Sequence, residues 1–314
     1  MFVTGHIYEL ANARLAQPSL VTIGVFDGVH RGHAHLIKQL VAEARRADRL
    51  AVVLTFHPHP DVVVRGLTGR YYLTTAAEKA RLLLALGVDY VITQTFDDAL
   101  RQVRAAVFVD RLLEHLKMAT LIVGADFAMG YRREGNVDFL HAQGAEKGFE
   151  LRVSELIANG DKAISSTAIR HALEAGDLEQ ANRWLGRSYA VAGPVVHGAK
   201  RGRQIGYPTA NVQVWEHQVI PANGIYASWV YVGDERFMAA TNVGVRPTFD
   251  TDDITVEPYI LDFDRDIYGQ EITVTFEKRL RDEARFDSIA ALIKQIAADV
   301  EDSRAYLSGT TPAG

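Results

Sequence analysis

Three histidines crowd one short stretch, VFDGVHRGHAHL, where His30, His33 and His35 stand beside Gly28 and Gly32. A helix that starts here offers free N–H groups and partial positive charge, which suits phosphate. Glycines let a ligand approach the backbone closely. His30 and His33, three residues apart, can both donate hydrogen bonds to phosphoryl oxygens. Two other readings stand beside this one. The histidines are surface side chains near a turn, or they join His57 and His59 of TFHPHP around a metal, since imidazole is a common ligand. Against the metal, no carboxylate stands at an obvious ligand spacing, and His35 points away from the helix start. Further along, ISSTAIR puts Ser165, Ser166 and Thr167 at a helix start with Arg170 about one turn in. Such hydroxyls are N-caps by default; capping plus an arginine reaching the same anion is the functional version. VGADFAMGYRREGN sets Asp126 at a strand end before a glycine-rich loop.

A second set of residues lies beyond residue 190. GPVVHGAKRGRQIGYPTANV carries Gly193, Gly198, Gly202 and Gly206, then Pro208, Thr209, Ala210 and Asn211. It lacks the GK[ST] of a Walker A loop, yet such segments cradle phosphates through backbone N–H groups. Thr209 offers a hydroxyl to Mg²⁺. The plain alternative is a glycine-rich strand with bulges. In ITVEPYILDF, Glu257 shares a strand face with Thr255 and Tyr259, opposite Val256 and Ile260. A strand carboxylate is ordinarily solvent-exposed. Pro258 beside it implies an edge or a bulge, which aims Glu257 into a cleft as a general base.

The elements around these residues follow two grammars. SLVTIGVF, RLAVVLTF, DYVITQTF and ATLIVGADF read as buried strands. They alternate with amphipathic helices such as HAHLIKQLVAEARRA, whose Ile37, Leu40, Val41 and Ala44 share a face. Alternation of this kind predicts a parallel sheet covered on both sides, with ligands beyond the carboxyl ends of its strands. STAIRHALEAG and DLEQANRWLG then read as two short helices closed by Gly176 and Gly186. Beyond residue 186 the chain is strand-rich. GIYASWVYV and RFMAATNVGV flank GDE as a hairpin, and regular short strands predict a small antiparallel barrel or sandwich. A final helix is expected to pack Ile289, Leu292, Ile293, Ile296 and Val300 on the barrel, before an irregular tail, SGTTPAG.

Composition bounds the rest. The 314 residues favour two domains, and a net charge of −5 without a long Lys/Arg run makes a general nucleic-acid surface an unlooked-for role. With no cysteine, disulfides and thiolate metal sites are excluded. The N-terminus lacks the pattern of a signal peptide, and no apolar run reaches the roughly 20 residues that span a bilayer, so a cytoplasmic protein is expected.

GVFDGVHRGH, TFHPHP, GADFAMG and ISSTAIR occur in the order found in prokaryotic bifunctional riboflavin kinase/FMN adenylyltransferases. HRGH alone resembles the phosphate-binding motif of a wider nucleotidyltransferase superfamily; the four motifs together are flavin-specific. GRQIGYPTAN, TNVGVRPTF, VEPYILDFDRDIYG and LRDEARF are similar to successive riboflavin kinase motifs, so the resemblance covers nearly the whole chain. It implies a Rossmann-like nucleotidyltransferase domain over 1–186, then a six-stranded antiparallel flavin-kinase barrel with a C-terminal helix over 187–314. It further implies riboflavin, FMN and ATP as substrates, with Mg²⁺ at Thr209 and Asn211. By the same resemblance His30 and His33 serve adenylyl transfer and Glu257 is the kinase base. Phe26, Gly28, Gly32, Ser166, Thr167, Arg170, Gly198, Gly202 and Gly206 bind ATP or its phosphates; Pro58, Asp126, Asn242 and Arg246 line flavin or nucleotide pockets. His35 is a bystander, and neither a membrane nor a nucleic acid is a partner. The chain departs from the family at Ala128 and Met129, where larger polar and aromatic residues are common, and at Pro258-Tyr259, where Val-His is common. Two other functions are weighed: a nucleotidyltransferase for another substrate fused to a barrel, against which PTAN and Glu257 argue, and a non-enzymatic flavin binder, against which the retained acid–base groups argue.

Overall fold

The computed structural model describes residues 5–154, 164–198, 201–247 and 252–309. Its backbone divides into two compact units, one of residues 1–68 and 73–166, the other of 69–72 and 167–314. The two helices before residue 186 therefore group with the barrel by contact. The tail from residue 310 lies outside the described residues.

In the first unit β1 (His6–Tyr8), β2 (Ser19–Ile23), β3 (Leu50–His57), β4 (Tyr90–Thr95), β5 (Met118–Gly124) and β6 (Glu150–Ser154) form one sheet. Its order is β1-β4-β3-β2-β5-β6, and every pairing is parallel. The central strands are apolar without alternation because both faces are covered. Leu20, Ala51, Val53 and Val91 pack on one side with Ile37, Leu40 and Ala44 of α1 (Arg31–Arg46) and Ala80 and Leu83 of α3 (Ala76–Ala85). Val21, Ile23, Val52, Leu54 and Ile92 pack on the other with Phe108, Val109 and Leu112 of α5 (Ala105–Leu116). Short helices α2 (Pro60–Arg65) and α4 (Asp98–Arg101) and helix α6 (Val137–Lys147) complete the unit.

The second unit holds most of α7 (Ser166–Glu174) and all of α8 (Leu178–Leu185), α9 (Arg201–Gln204) and a closed six-stranded barrel. The strands are β7 (Tyr189–Val196), β8 (Asn211–Val212), β9 (Gly224–Val232), β10 (Glu235–Pro247), β11 (Asp252–Ile260) and β12 (Glu271–Arg281), joined in the order β10-β11-β8-β7-β12-β9. The alternatives of barrel and sandwich resolve to a barrel. The predicted hairpin has a two-residue loop: Val232 pairs with Glu235, and Gly233 takes the left-handed turn at φ 59°.

Helix α10 (Ile289–Ser308) follows, capped by the Ser288 side chain accepting from Ala291 N. The expected apolar stripe starts one turn late. Ile289 is 66% exposed, whereas Leu292, Ile293 and Ile296 are half-buried and Val300 and Leu307 buried. Ile289 is the first helical residue after the cap, at the end of the helix where few side chains are buried. Among the described residues no helix is long and apolar enough to cross a membrane.

Candidate functional sites

The first site forms where β2 turns into α1. Three residues of the turn take positive φ: Phe26 at 52°, Gly28 at 76° and Val29 at 40°. Such strain at non-glycine residues persists only where surroundings impose it. Here Phe26 and Val29 are buried in the core and the Asp27 carboxylate accepts from Leu73 N and Thr74 N at 3.1–3.2 Å. His30 is the N-cap of α1, and its Nδ1 accepts from His33 N at 3.3 Å. The His30 and His33 rings stack at 3.6 Å, with Phe26 edge-on to His33 at 5.2 Å. Burial, then the neighbouring His30 and Lys79, push the His33 pKa well below its ordinary value, so His33 is neutral near pH 7. Its Nδ1 is buried with no partner among the described residues. Gly32 lies beside the His30 ring: a Cβ there would stand 3.2 Å from it.

Ser166 belongs to this unit and donates from Oγ to the Asp27 carbonyl at 2.9 Å, tying ISSTAIR to the turn. Thr167 and Arg170 group with the second unit. Arg170 is buried, donates from Nε to the Tyr71 carbonyl at 2.5 Å and stacks over the Tyr71 ring at 3.9 Å. Pro58 is half-buried between β3 and His59, whose Nδ1 caps α2 by accepting from Asp61 N. Asp126 is exposed just past β5, and its carbonyl accepts from Arg133. Met129, one of the departures, is buried in the sheet core and pairs its backbone with Gly135. Exposed His35 lies within hydrogen-bond reach of Gln39. Among the described residues no three His, Asp or Glu side chains gather as a metal site.

The second site lies within the second unit. Register sets Asn242 of β10 directly opposite Glu257 of β11, and Gly244 opposite Thr255. Along β11 Val256, Pro258 and Ile260 are buried while Thr255, Glu257 and Tyr259 are half-buried on the other face, as the alternation predicts. The β10–β11 register carries no bulge. Pro258 is instead accommodated at a local edge: β8 meets β11 only at Val212–Val256, and beyond it the Pro258 carbonyl accepts from Ala210 N at 2.9 Å.

Glu257, Asn242, Thr209, Gly202 and Glu283 line two cavities at once. The larger, about 840 Å³, also meets Gly198, Asn211 and Thr255. The smaller, about 310 Å³, has an aromatic and aliphatic wall of Tyr207, Tyr259, Phe286, Leu292 and Ile296. A Cβ on Gly198 would stand 2.4 Å from the Asn211 carboxamide, and one on Gly202 2.3 Å from the Tyr207 carbonyl, so both glycines are required by close approach. Gly206 is exposed, turns at φ 87° and lines neither cavity. Arg246 is placed by register alone, opposite Asp253.

Several residues that sequence reasoning missed stand at these sites. Lys79 is buried beneath the first turn; its signal is a lysine one residue before Ala80 and one turn before Leu83 on the apolar face of α3. Asp27 holds the turn through backbone amides, which no spacing reveals. Arg281 and Asp299 line the smaller cavity as a bidentate ion pair at 2.6–2.8 Å.

Comparison with known proteins agrees with this geometry. A family model described as FAD synthetase matches residues 12–168, and one described as riboflavin kinase matches 185–307. A bifunctional riboflavin kinase/FMN adenylyltransferase of Listeria monocytogenes is 38% identical over 291 residues, 92% of each chain. That of Escherichia coli K12 is 39% identical over 296 residues, 94% of each chain. The crystal structure of a protein described as a macrolide-efflux protein from Streptococcus pneumoniae is similar at TM-score 0.84 and 30% identity, covering 96% of this chain and 99% of that one. With a phosphate-type turn on a parallel sheet, a carboxylate on a wall common to two barrel cavities, and relatives matched along nearly their whole length, the chain belongs to the bifunctional riboflavin kinase/FMN adenylyltransferase family.

Proposed function

We propose that residues 187–314 phosphorylate riboflavin to FMN and residues 1–186 adenylylate FMN to FAD, each at the expense of ATP. The observation that carries the kinase assignment is the wall common to the two cavities, where Glu257 and Asn242 face each other across strands. The smaller, aromatic cavity takes the flavin ring, and the larger, glycine-lined cleft takes ATP. Glu257 removes the proton of the terminal ribityl hydroxyl as that oxygen attacks the γ-phosphorus, giving FMN and ADP. Thr209 and Asn211 would hold Mg²⁺. Hydroxyl and carboxamide oxygens are hard donors of the kind this ion takes, and Gly198 leaves the Asn211 carboxamide the space a Cβ would fill. The bound ion offsets phosphate charge; the rest is positioning by the barrel.

At the first turn the FMN phosphate attacks the α-phosphorus of a second ATP, releasing pyrophosphate. That phosphate is largely ionised near neutral pH, so the site needs donors more than a base. His30 and His33 stabilise the transition state and the leaving group, and the turn amides and Ser166 hold phosphates. The substrates are small and soluble, which supports a cytoplasmic enzyme without nucleic-acid or membrane partners.

Chromatography of flavins tests both assignments together. His30→Ala is expected to lower FAD formation by about 10²–10³, the usual cost of one transition-state donor, while FMN formation continues. Glu257→Gln should stop FMN formation and still convert supplied FMN to FAD. Loss of both activities in either folded variant would refute the two-site division.

A further inference from the structure

Lys79 is the most deeply placed cation described in the first unit, and neither transfer yet uses it. Its Nζ donates to the Val25 carbonyl at 3.0 Å and to the Phe56 carbonyl at 2.9 Å. One ammonium thereby joins the turn that follows β2 to the end of β3, the two segments that carry His30, His33 and His57. The residue is 5% exposed and forms no ion pair among the described residues. Asp27 favours the charged lysine from a distance, but its carboxylate accepts from the Leu73 and Thr74 amides and makes no direct contact with the ammonium. A buried charge with no counter-charge in direct contact is costly, and burial, only partly offset by Asp27, lowers this one from 10.5 to about 8.

The carbonyl contacts also set a direction. Across a trans peptide the C=O and the following N–H point opposite ways. Anchoring the Val25 carbonyl on Lys79 therefore aims the Phe26 N–H away from the lysine, and that N–H has no protein acceptor among the described residues. A buried cation in contact with carbonyls alone and an amide without a protein acceptor at one turn both suit an anion.

We propose that Lys79 is a positioning residue of the adenylyl-transfer site, its buried ammonium, which touches only the Val25 and Phe56 carbonyls, being matched by the polyphosphate of ATP. The proposal rests on the adenylyl-transfer reading of this turn and adds to it a residue remote from the reacting atoms. Lys79 orients the turn amides through the two carbonyls and supplies charge through the low-dielectric interior, where a unit charge several ångströms away still matters.

Two variants of the full chain test it, with FMN and ATP varied separately and FAD measured. Lys79→Gln retains a donor without the charge. Lys79→Cys introduces the single cysteine of a chain that has none, so alkylation with bromoethylamine in denaturant, followed by refolding, restores an ammonium at that position alone. Both uncharged variants are expected to raise the ATP KM for FAD formation by about tenfold or more, with the FMN KM within about twofold of native. Aminoethylation should return the ATP KM toward native. An FMN KM within about twofold of native in the same samples reports that the unit carrying Lys79 has refolded. A native ATP KM in Lys79→Gln, an equal rise in both KM values, or no recovery on aminoethylation of refolded protein would each overturn the proposal. None of these results touches the reading of the site itself, which His30→Ala tests separately.

Discussion

Histidine and lysine share the first turn, and their protonation is coupled to its ligand. His33 is neutral because burial, then the neighbouring His30 and Lys79, oppose its charging. On the proposed reading, an arriving phosphate would reverse part of that balance and favour a proton on the ring. Lys79 carries the complementary consequence for stability. In the unfolded chain it holds its proton to about 10.5, and in the folded protein only to about 8. Between those pH values the unfolded state binds more protons, so the stability of the ligand-free protein rises with pH across that window. The full effect is on the order of 3 kcal/mol. Lys79→Met removes it. Melting temperatures of the two proteins compared from pH 8 to 10.5 should move in favour of the native protein, and parallel curves would show that burial does not shift this lysine.

At the scale of elements, the site depends on where strands end and how closely they approach. Gly198 follows β7 and faces Asn211 at the start of β8. Gly198→Ala must displace the carboxamide or the backbone. The expected outcome is a fall in FMN formation by about tenfold or more, in line with the cost of misplacing a positioning group, with FAD formation from FMN unchanged. A native kinase rate would show that Asn211 does not need its present place. The same elements show how far sequence patterns reach. Apolar runs in β2 to β5 mark strands buried on both faces, and period-two alternation in β11 puts Glu257, Thr255 and Tyr259 together. Both patterns record burial, which side-chain polarity reports directly. Closure of the barrel, the pairing of Asn242 with Glu257 and the role of Asp27 depend on register and on backbone amides, which one chain's polarity does not encode. Ile289 shows the opposite failure: its helical phase is correct, but the helix begins beyond the surface it covers. Lys79 was visible only as a misfit on an apolar helix face, and such a misfit acquires meaning once its carbonyl partners are known.

For the molecule as a whole, the product of one proposed site is the substrate of the other. If FMN leaves the barrel as a free small molecule, two chains that each keep one half-reaction complement each other. A mixture of His30→Ala and Glu257→Gln should form FAD from riboflavin after a lag in which FMN accumulates. Doubling total protein at fixed substrate should shorten that lag. Failure of the mixture, with each variant retaining its own half-reaction, would show that FMN does not pass through solution.

The common wall of the barrel cavities has a further consequence. Glu257 and Asn242 stand between two chambers rather than at the floor of one, so a donor and an acceptor that occupy separate chambers do not block each other's doorway. Binding can then proceed in either order, and a surplus of the vitamin does not shut out the nucleotide.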